Sequence, residues 1–390
     1  MNDPKVLRPD VESGYFEELD YGSTPWKGRG RFRFQAQARR RIDKRVLSRE
    51  EVDQLMAASY ETPQLVGIEG DRRHWWAFEG YWYITRADLG ESDVVGLVQE
   101  RYQEDLAAWG VSPSPEPPRP PDRESGSYLA VCSMFLNEER YLAEWIEFHL
   151  LAGVERFYLY DHESTDGSRE VLAPYVEEGT VVVYDWPVYP GQREAFDDCV
   201  ERHRQDSRWI AFFDIDEYLF SGTGRPLTEV LRPFEPWPGV FVNRPAFGSA
   251  GREAMPSGLV TESYPLRSNI SRRNRAGKSI ADPMRVASCG GGHHFTYTEA
   301  HAVDELLRPA PTSRSLSVSF SLLRLNHYAV RSREEFEAKL ATPRADTGTL
   351  REGTTFESIN EALNDVTDLA AAAWAPALKE ALRRKQATLG

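Results

Sequence analysis

The chain has 390 residues, 41% hydrophobic and 12% aromatic with ten tryptophans, which suits roughly two or three domains with sizeable cores. A formal net charge of −14 excludes general nucleic-acid binding, because neutralising phosphate needs an excess of Lys and Arg. Three widely spaced cysteines, Cys132, Cys199 and Cys289, form no CxxC pair. That excludes a Cys-rich zinc site and a disulfide scaffold, and they read as buried small residues.

The first residues, "MNDPKVLRPD", contain no apolar core of a signal peptide, and no later stretch approaches the ~18 apolar residues of a membrane span. A cytoplasmic protein is expected, with peripheral membrane contact left open. Lys27 to Arg45 (KGRGRFRFQAQARRRIDKR) is strongly basic. It reads as a solvated arm, and otherwise as a contact for an anionic partner, lipid or subunit. "SREEVDQLMAASYE" opens with a capping box, Ser48 with Glu51, and predicts a helix. "HWWAFEGYWYITRADLG" alternates aromatics around Gly80 and predicts a hairpin, and "ESDVVGLVQERYQEDLAAW" predicts an amphipathic helix. Residues 1–111 thus form a small α+β accessory domain without a catalytic signature. Its Trp75, Trp76 and Trp82 read as core before they read as a sugar-stacking platform. The Pro-rich segment Ser112–Ser127 is an extended linker.

From residue 128 to about 345, strands and helices alternate. "YLAVCSMF", "VERFYLYD", "TVVVYDW" and "WIAFFDID" are strands. The helices between them start at "NEERYLAEW", "SREVLAPYV" and "QREAFDDCV". In the first, Leu142, Trp145, Ile146 and Leu150 share one face and Gly153 ends the helix. Such alternation predicts a Rossmann-like α/β domain with a mainly parallel sheet. Ligands of these sheets bind at the carboxyl ends of strands. Asn137 with Glu138, Asp161, and Asp214 with Asp216 all fall there. Beyond Phe220 the pattern loosens, with strands at "GVFVNRPAF" and "LLRLNHYAV". Residues 346–390 are a helical C-terminal segment, the stretch Phe356–Leu382 reading as closing helices.

"DID" is the chemically richest stretch. Read as strand, it turns Asp214 and Asp216 to one face at a strand end, next to Glu217. Two carboxylates placed so suit Mn²⁺ or Mg²⁺ shared with a substrate diphosphate. Solvation alone, or pairing with Arg, is the plainer alternative.

With its neighbours the stretch acquires a family likeness. "FLNEERYLAEWIEFHLLAGVERFYLYDHESTDGS", "QREAFDDCVERHRQDSRWIAFFDIDEYLF", "FGSAG" and "LNHYAVRSREEF" together resemble glycosyltransferase family 92 and neighbouring family 2-like enzymes, from about Tyr128 to Lys339. The resemblance implies a GT-A fold and inverting transfer of a sugar, often galactose from UDP-galactose, to a glycan or other hydroxyl acceptor with Mn²⁺. By motif position it makes Asp216 a metal ligand. Asp214 belongs to the same pair and contacts ribose or donor sugar, and Glu217 orients the two. It places Asp161, Asn137 and Glu138 near the nucleotide, and Gln192, Ala195 and Asp198 as donor-sugar contacts. His327 matches a late histidine that serves as a third metal ligand or phosphate contact, with His293 and His294 competing for the role. Lys278, preceded by Arg272, Arg273 and Arg275, is a candidate for neutralising diphosphate or an anionic acceptor. "FGSAG" resembles the loop where donor and acceptor meet. Inversion needs a general base, and Glu262, Asp304 and Glu305 are candidates by residue type. Eukaryotic members usually carry an N-terminal membrane anchor that this chain lacks, which points to a bacterial enzyme. Two readings compete: a non-catalytic nucleotide-sugar-binding protein, and a metal-dependent phosphodiester hydrolase.

Overall fold

The structure is a computed structural model. It describes residues 126–390 apart from 270–273, 311, 316–317, 343–346, 352 and 390, and six strands of the first 125 residues. Two compact units are distinguished, Met1–Pro113 with Leu316–Val318 and Ser114–Ser315 with Ser319–Gly390.

In the first unit, β1 (Lys5–Pro9) pairs antiparallel with β2 (Phe16–Asp20). β3 (Trp26–Arg31), β4 (Val66–Glu69), β5 (Arg73–Phe78) and β6 (Tyr81–Arg86) form a four-stranded antiparallel sheet in the order β3-β6-β5-β4. The expected aromatic hairpin is present, with Phe78 opposite Tyr81. The basic stretch begins inside β3, an edge strand of this sheet. The helices expected over residues 48–61 and 91–109, the Pro-rich segment up to residue 125, and Arg272 and Arg273 lie outside the described residues.

The second unit follows the predicted alternation: β7 (Ser127–Phe135), α1 (Glu139–Ala152), β8 (Arg156–Asp161), α2 (Ser168–Glu177), β9 (Val181–Asp185), α3 (Gln192–Arg202) and β10 (Ser207–Phe212). β7, β8, β9 and β10 pair in parallel, and the six-stranded sheet runs β12-β14-β10-β7-β8-β9. β14 (Gly277–Ala281) lies antiparallel to both β10 and β12 (Gly239–Asn243). The architecture is therefore α/β with a mostly parallel central sheet, as the GT-A expectation requires.

β7 shows why. From Leu129 to Phe135 every side chain is buried, the mark of a strand covered on both faces. Leu129 and Val131 join the core under α1, whereas Ala130, Cys132 and Met134 join the core under α3. Helix α1 buries Leu142, Trp145 and Ile146 and stops at Gly153, whose φ of 102° is one that L side chains rarely adopt. The three cysteines are free and buried. From β9 the chain returns to β10 on the far side of β7. That reversal lies between β7 and β10, the place where sheets of this kind carry their ligand crevice outside the carboxyl ends of the strands.

One expectation is corrected, and one strand carried no signal in the sequence. β10 ends at Phe212, and "DID" lies in the turn leading to β11 (Glu217–Ser221), closed by the Glu217 N–H on the Asp214 carbonyl at 3.0 Å. "GKSIA", which carries Lys278, is the unforeseen strand β14, buried throughout. The closing stretch contains helices, as expected: α5 (Phe356–Asn360) and α6 (Ala375–Leu389), with β18 (Val366–Thr367) between them pairing with β13 (Leu266–Arg267). β15 (Val286–Cys289) pairs with β16 (Phe295–Tyr297), and β17 (Leu323–His327) pairs with β11 and leads to α4 (Arg333–Leu340).

Candidate functional site

The turn after β10 is rigidly backed. Trp145 Nε1 donates to the Glu217 carbonyl at 2.8 Å, and His149 Nε2 accepts the Leu219 N–H at 2.9 Å. His149 Nδ1 then donates to the Trp145 carbonyl at 2.7 Å, and burial lowers this histidine to about 3, so it stays neutral. On the other side, the Tyr328 N–H donates to the Asp216 carbonyl at 2.9 Å, and Glu217 lies opposite His327 across the β11–β17 pair. The antiparallel ladder therefore carries the late histidine to the acidic turn.

Because the turn is not strand, its carboxylates separate. Asp214 accepts from Lys278 Nζ at 3.0 Å and from Gln192 Nε2 at 2.5 Å. Lys278 is 2% exposed and also donates to the Gly292 carbonyl at 2.7 Å, with Glu217 Oε2 at 3.9 Å. Glu217 is fully buried; its Oε1 takes Arg244 Nη1 at 2.5 Å and its Oε2 takes the Asp214 N–H at 2.9 Å. Burial works against the charge on Asp214, yet Lys278 beside it holds its carboxyl below the usual range.

Asp216 faces a different set. Its Oδ2 is paired with Lys339 near the end of α4, and its Oδ1 lies 3.6 Å from His327 Nε2 with no hydrogen-bond partner. Burial disfavours its charge, but Lys339, His327 and Arg331 hold it well below the carboxylate range. His327 is lowered by burial and by Arg244, which favours the neutral imidazole that can act as a ligand. Asp216, Glu217 and His327 present ligand atoms within 4.8 Å of one another, the one such group among the described residues. Asp214, expected in the metal set, does not belong to this group; its oxygens accept from Lys278 and Gln192.

Arg331 sits beside this group with φ of 54° and its guanidinium 3.5 Å above the Tyr141 ring. Its Nη1 is 4.0 Å from Glu138 Oε2, while its Nε and Nη2 and that Glu138 oxygen have no hydrogen-bond partner. Burial pushes Glu138 up to about 7, against the pull of Arg331. Three orphaned polar groups, from Glu138, Arg331 and Asp216, thus occur in charge-coupled residues beside the crevice.

Asn137, with φ of 56°, folds the loop after β8: its Oδ1 accepts the Thr165 N–H at 2.7 Å. Asp161 accepts the Ser164 N–H at 2.9 Å and pairs with Arg169, which also bridges to Asp185. "FGSAG" is fixed by the C-terminal segment, Asn360 accepting the Ser249 N–H and Asn364 the Ala250 N–H, each at 2.8 Å.

The remaining nominated residues are engaged elsewhere. Asp198 accepts from Tyr160 Oη at 2.8 Å and Arg202 Nε at 2.6 Å, tying α3 to β8, while Ala195 is core. Glu262 is on a helical turn, Val260–Ser263, and pairs with Lys379 of α6 at 2.7 Å. Asp304 closes its own loop, accepting from the Leu306 and Arg308 N–H groups at 2.9 and 3.0 Å. Glu305 is spent on the N–H groups of Ser321, Leu322 and Leu323 at 2.6–2.8 Å. None of these three carboxylates is brought into the acidic turn. Arg275 donates to the Ser315 carbonyl at 2.7 Å. His293 is bonded to the Gly277 carbonyl at 3.1 Å and lowered to about 4 by burial and then Lys278, so it lies by the Asp214 side and not in the metal-type group. His294 packs under Gly290. Sequence reasoning missed Arg244, Arg331 and Lys339; "VNRPAF" and "LNHYAVRSREEF" contained two of them without a pattern to mark them.

Residues 127–365, well over half of the chain, match the family model described as Glycosyltransferase family 92. A family 92 protein of Oryza sativa subsp. japonica is 31% identical over 225 residues, 56% of this chain and 36% of that protein. A β-1,4-galactosyltransferase of Caenorhabditis elegans is 24% identical over 217 residues, 51% of this chain and 47% of that protein. The chain therefore spans less than two thirds of either relative. Among solved structures, a mannosyltransferase of Pyrobaculum calidifontis in complex with GDP-Man and Mn²⁺ is 15% identical with a TM-score of 0.30, covering 74% of this chain and 80% of that one. Among the described residues no helix is long and apolar enough to cross a membrane. On the match over residues 127–365, the chain belongs to glycosyltransferase family 92.

Proposed function

We propose that the protein transfers a hexose, galactose on the names of its relatives, from a UDP-linked donor to a hydroxyl of a glycan or other acceptor, with inversion and with a divalent cation. The observation that carries this reading is the Asp216–His327 pair at the crevice, where a buried carboxylate oxygen lacks a partner and a neutral imidazole stands 3.6 Å away. One oxygen and one nitrogen donor suit Mn²⁺, and Mg²⁺ less well. Asp216 and His327 would hold the ion, with Glu217 fixed behind them by Arg244. Such an ion supplies Lewis-acid stabilisation of the charge on a leaving nucleoside diphosphate.

The chain's own groups orient the donor. Lys278 and Gln192 hold Asp214 charged and in one position, ready to accept from ribose or sugar hydroxyls. Asn137 and Asp161 shape the loop after β8, next to where the nucleoside would lie. Asn360 and Asn364 fix the 247–251 loop as one wall for donor and acceptor. A two-metal hydrolase is disfavoured because a second ligand group is missing among the described residues. Nucleoside diphosphate release from a panel of UDP- and GDP-sugars, with Mn²⁺ and with EDTA, tests the reading. Mn²⁺-dependent UDP release is expected; release undiminished by EDTA overturns the metal role, and no release from any donor overturns transfer.

A further inference from the structure

We infer that Lys339 is a donor-binding residue that exchanges partners: it neutralises Asp216 in the free protein and passes to the donor diphosphate when a divalent cation takes that carboxylate. The inference rests on the nucleotide-sugar reading above and adds to it a residue that no sequence motif marks.

Two lysines meet the acidic turn, and they are held differently. Lys278 rises from the buried strand β14, is 2% exposed, and is fixed by Asp214, the Gly292 carbonyl and the nearby Glu217. Its ammonium cannot leave without stranding several buried groups. Lys339 is 38% exposed, and Asp216 Oδ2 is its one acceptor among the described residues. Its backbone, by contrast, is well anchored. Ser332 and Glu335 form a capping box at the start of α4, Phe336 is buried one turn before Lys339, and Arg351 Nη1 donates to the Lys339 carbonyl at 3.0 Å. A fixed Cα with a free four-carbon stem lets the ammonium move by several ångströms at little cost.

The two oxygens of Asp216 divide the work. Oδ2 is taken by Lys339, whereas Oδ1 is unpartnered and faces His327 Nε2. A divalent ion bound between Asp216 and His327 would share one carboxylate with the ammonium, and the like charges repel. The ammonium then needs a new anion within a side chain's reach. A diphosphate held by the same ion is such an anion, and a compact lysine ammonium suits phosphate as a point charge. Lys339 therefore competes with the metal before the donor arrives and supports the donor afterwards.

These two roles give opposite signs, which a merely structural residue would not. The full chain is compared as wild type, Lys339→Met, Lys339→Arg and Asp216→Asn. Mn²⁺ binding is followed by the loss of the free-ion electron paramagnetic resonance signal, and UDP binding by calorimetry at saturating Mn²⁺. Lys339→Met should bind Mn²⁺ about tenfold more tightly, as one competing charge is removed, and UDP about tenfold less tightly, as one charge-assisted bond is lost. Lys339→Arg should keep UDP binding, and Asp216→Asn should lose Mn²⁺. Lys339→Met that gains no Mn²⁺ affinity, or keeps full UDP affinity while the wild type binds UDP, overturns the inference and leaves the functional reading intact. A wild type that binds Mn²⁺ but no UDP overturns both.

Discussion

Replacing Lys278 with Met removes the buried cation under the acidic turn while keeping a similar apolar stem. Losing one partner of a buried ion pair costs about 3–5 kcal/mol when the other charge is left alone. Here Asp214 keeps Gln192 at 2.5 Å and is 33% exposed, and Glu217 keeps Arg244. The expected loss at pH 7 is therefore smaller, about 2 kcal/mol, or a fall of about 4–8 °C in Tm for a unit of this size. Its pH dependence identifies the cause. Burial opposes the charge of Asp214, but Lys278 outweighs it and depresses the carboxyl below its ordinary 3.8. A depressed carboxyl stabilises the fold above its unfolded value and loses that contribution as pH falls through the folded one. Lys278→Met lacks the contribution, so the Tm gap from wild type, read by scanning calorimetry, should be widest near pH 7 and narrow below about pH 4. A gap that stays constant with pH, or is absent at pH 7, refutes the charge-pair reasoning.

Glu138 should show the opposite sign. Burial raises it from 4.5 to about 7, so the folded protein takes up a proton and wild-type stability falls as pH rises between those values. Tm of Glu138→Gln relative to wild type should climb from pH 5 to 7 and then level; a flat difference would show that the carboxyl titrates normally. At Gly248 an added Cβ would meet the Asn364 side chain at 2.5 Å. Gly248→Val should cost about 1–3 kcal/mol and weaken amide-exchange protection at Ser249 and Ala250, whereas wild-type protection would mean that Asn364 does not hold the loop. Glu262→Ala breaks only a partly exposed pair with Lys379, so it should cost at most about 1 kcal/mol and leave transfer rates unchanged. A loss of a hundredfold or more, as expected for a general base, would return Glu262 to the chemistry.

The parallel core was legible because its physics is local. β7 to β10 are short apolar runs, the helices between them carry one apolar face, and Gly153 ends α1 where a left-handed residue is needed. β14 was illegible: "GKSIA" contains one lysine and three small residues, and only the sheet around it makes it a strand. The site divided in the same way. Asp216 and His327 were each nominated because each belongs to a motif, and the β11–β17 ladder brings the two motifs together. The split between Asp214 and Asp216 was not readable, since it follows from β10 ending two residues before Asp214. Nor was Lys339, because 123 residues separate it from the carboxylate it neutralises. Glu262, Asp304 and Glu305 were chosen by residue type alone, and each proves to be engaged by nearer partners.

The most direct measurement is a crystal structure of the chain with UDP and Mn²⁺, using the anomalous signal of the metal to place it. The account predicts a manganese peak touching Asp216 Oδ1 and His327 Nε2 with the diphosphate on its open side, and Asp214 still bonded to Lys278. A peak bound by Asp214 instead, or a diphosphate seated without metal contact to Asp216 and His327, would contradict it.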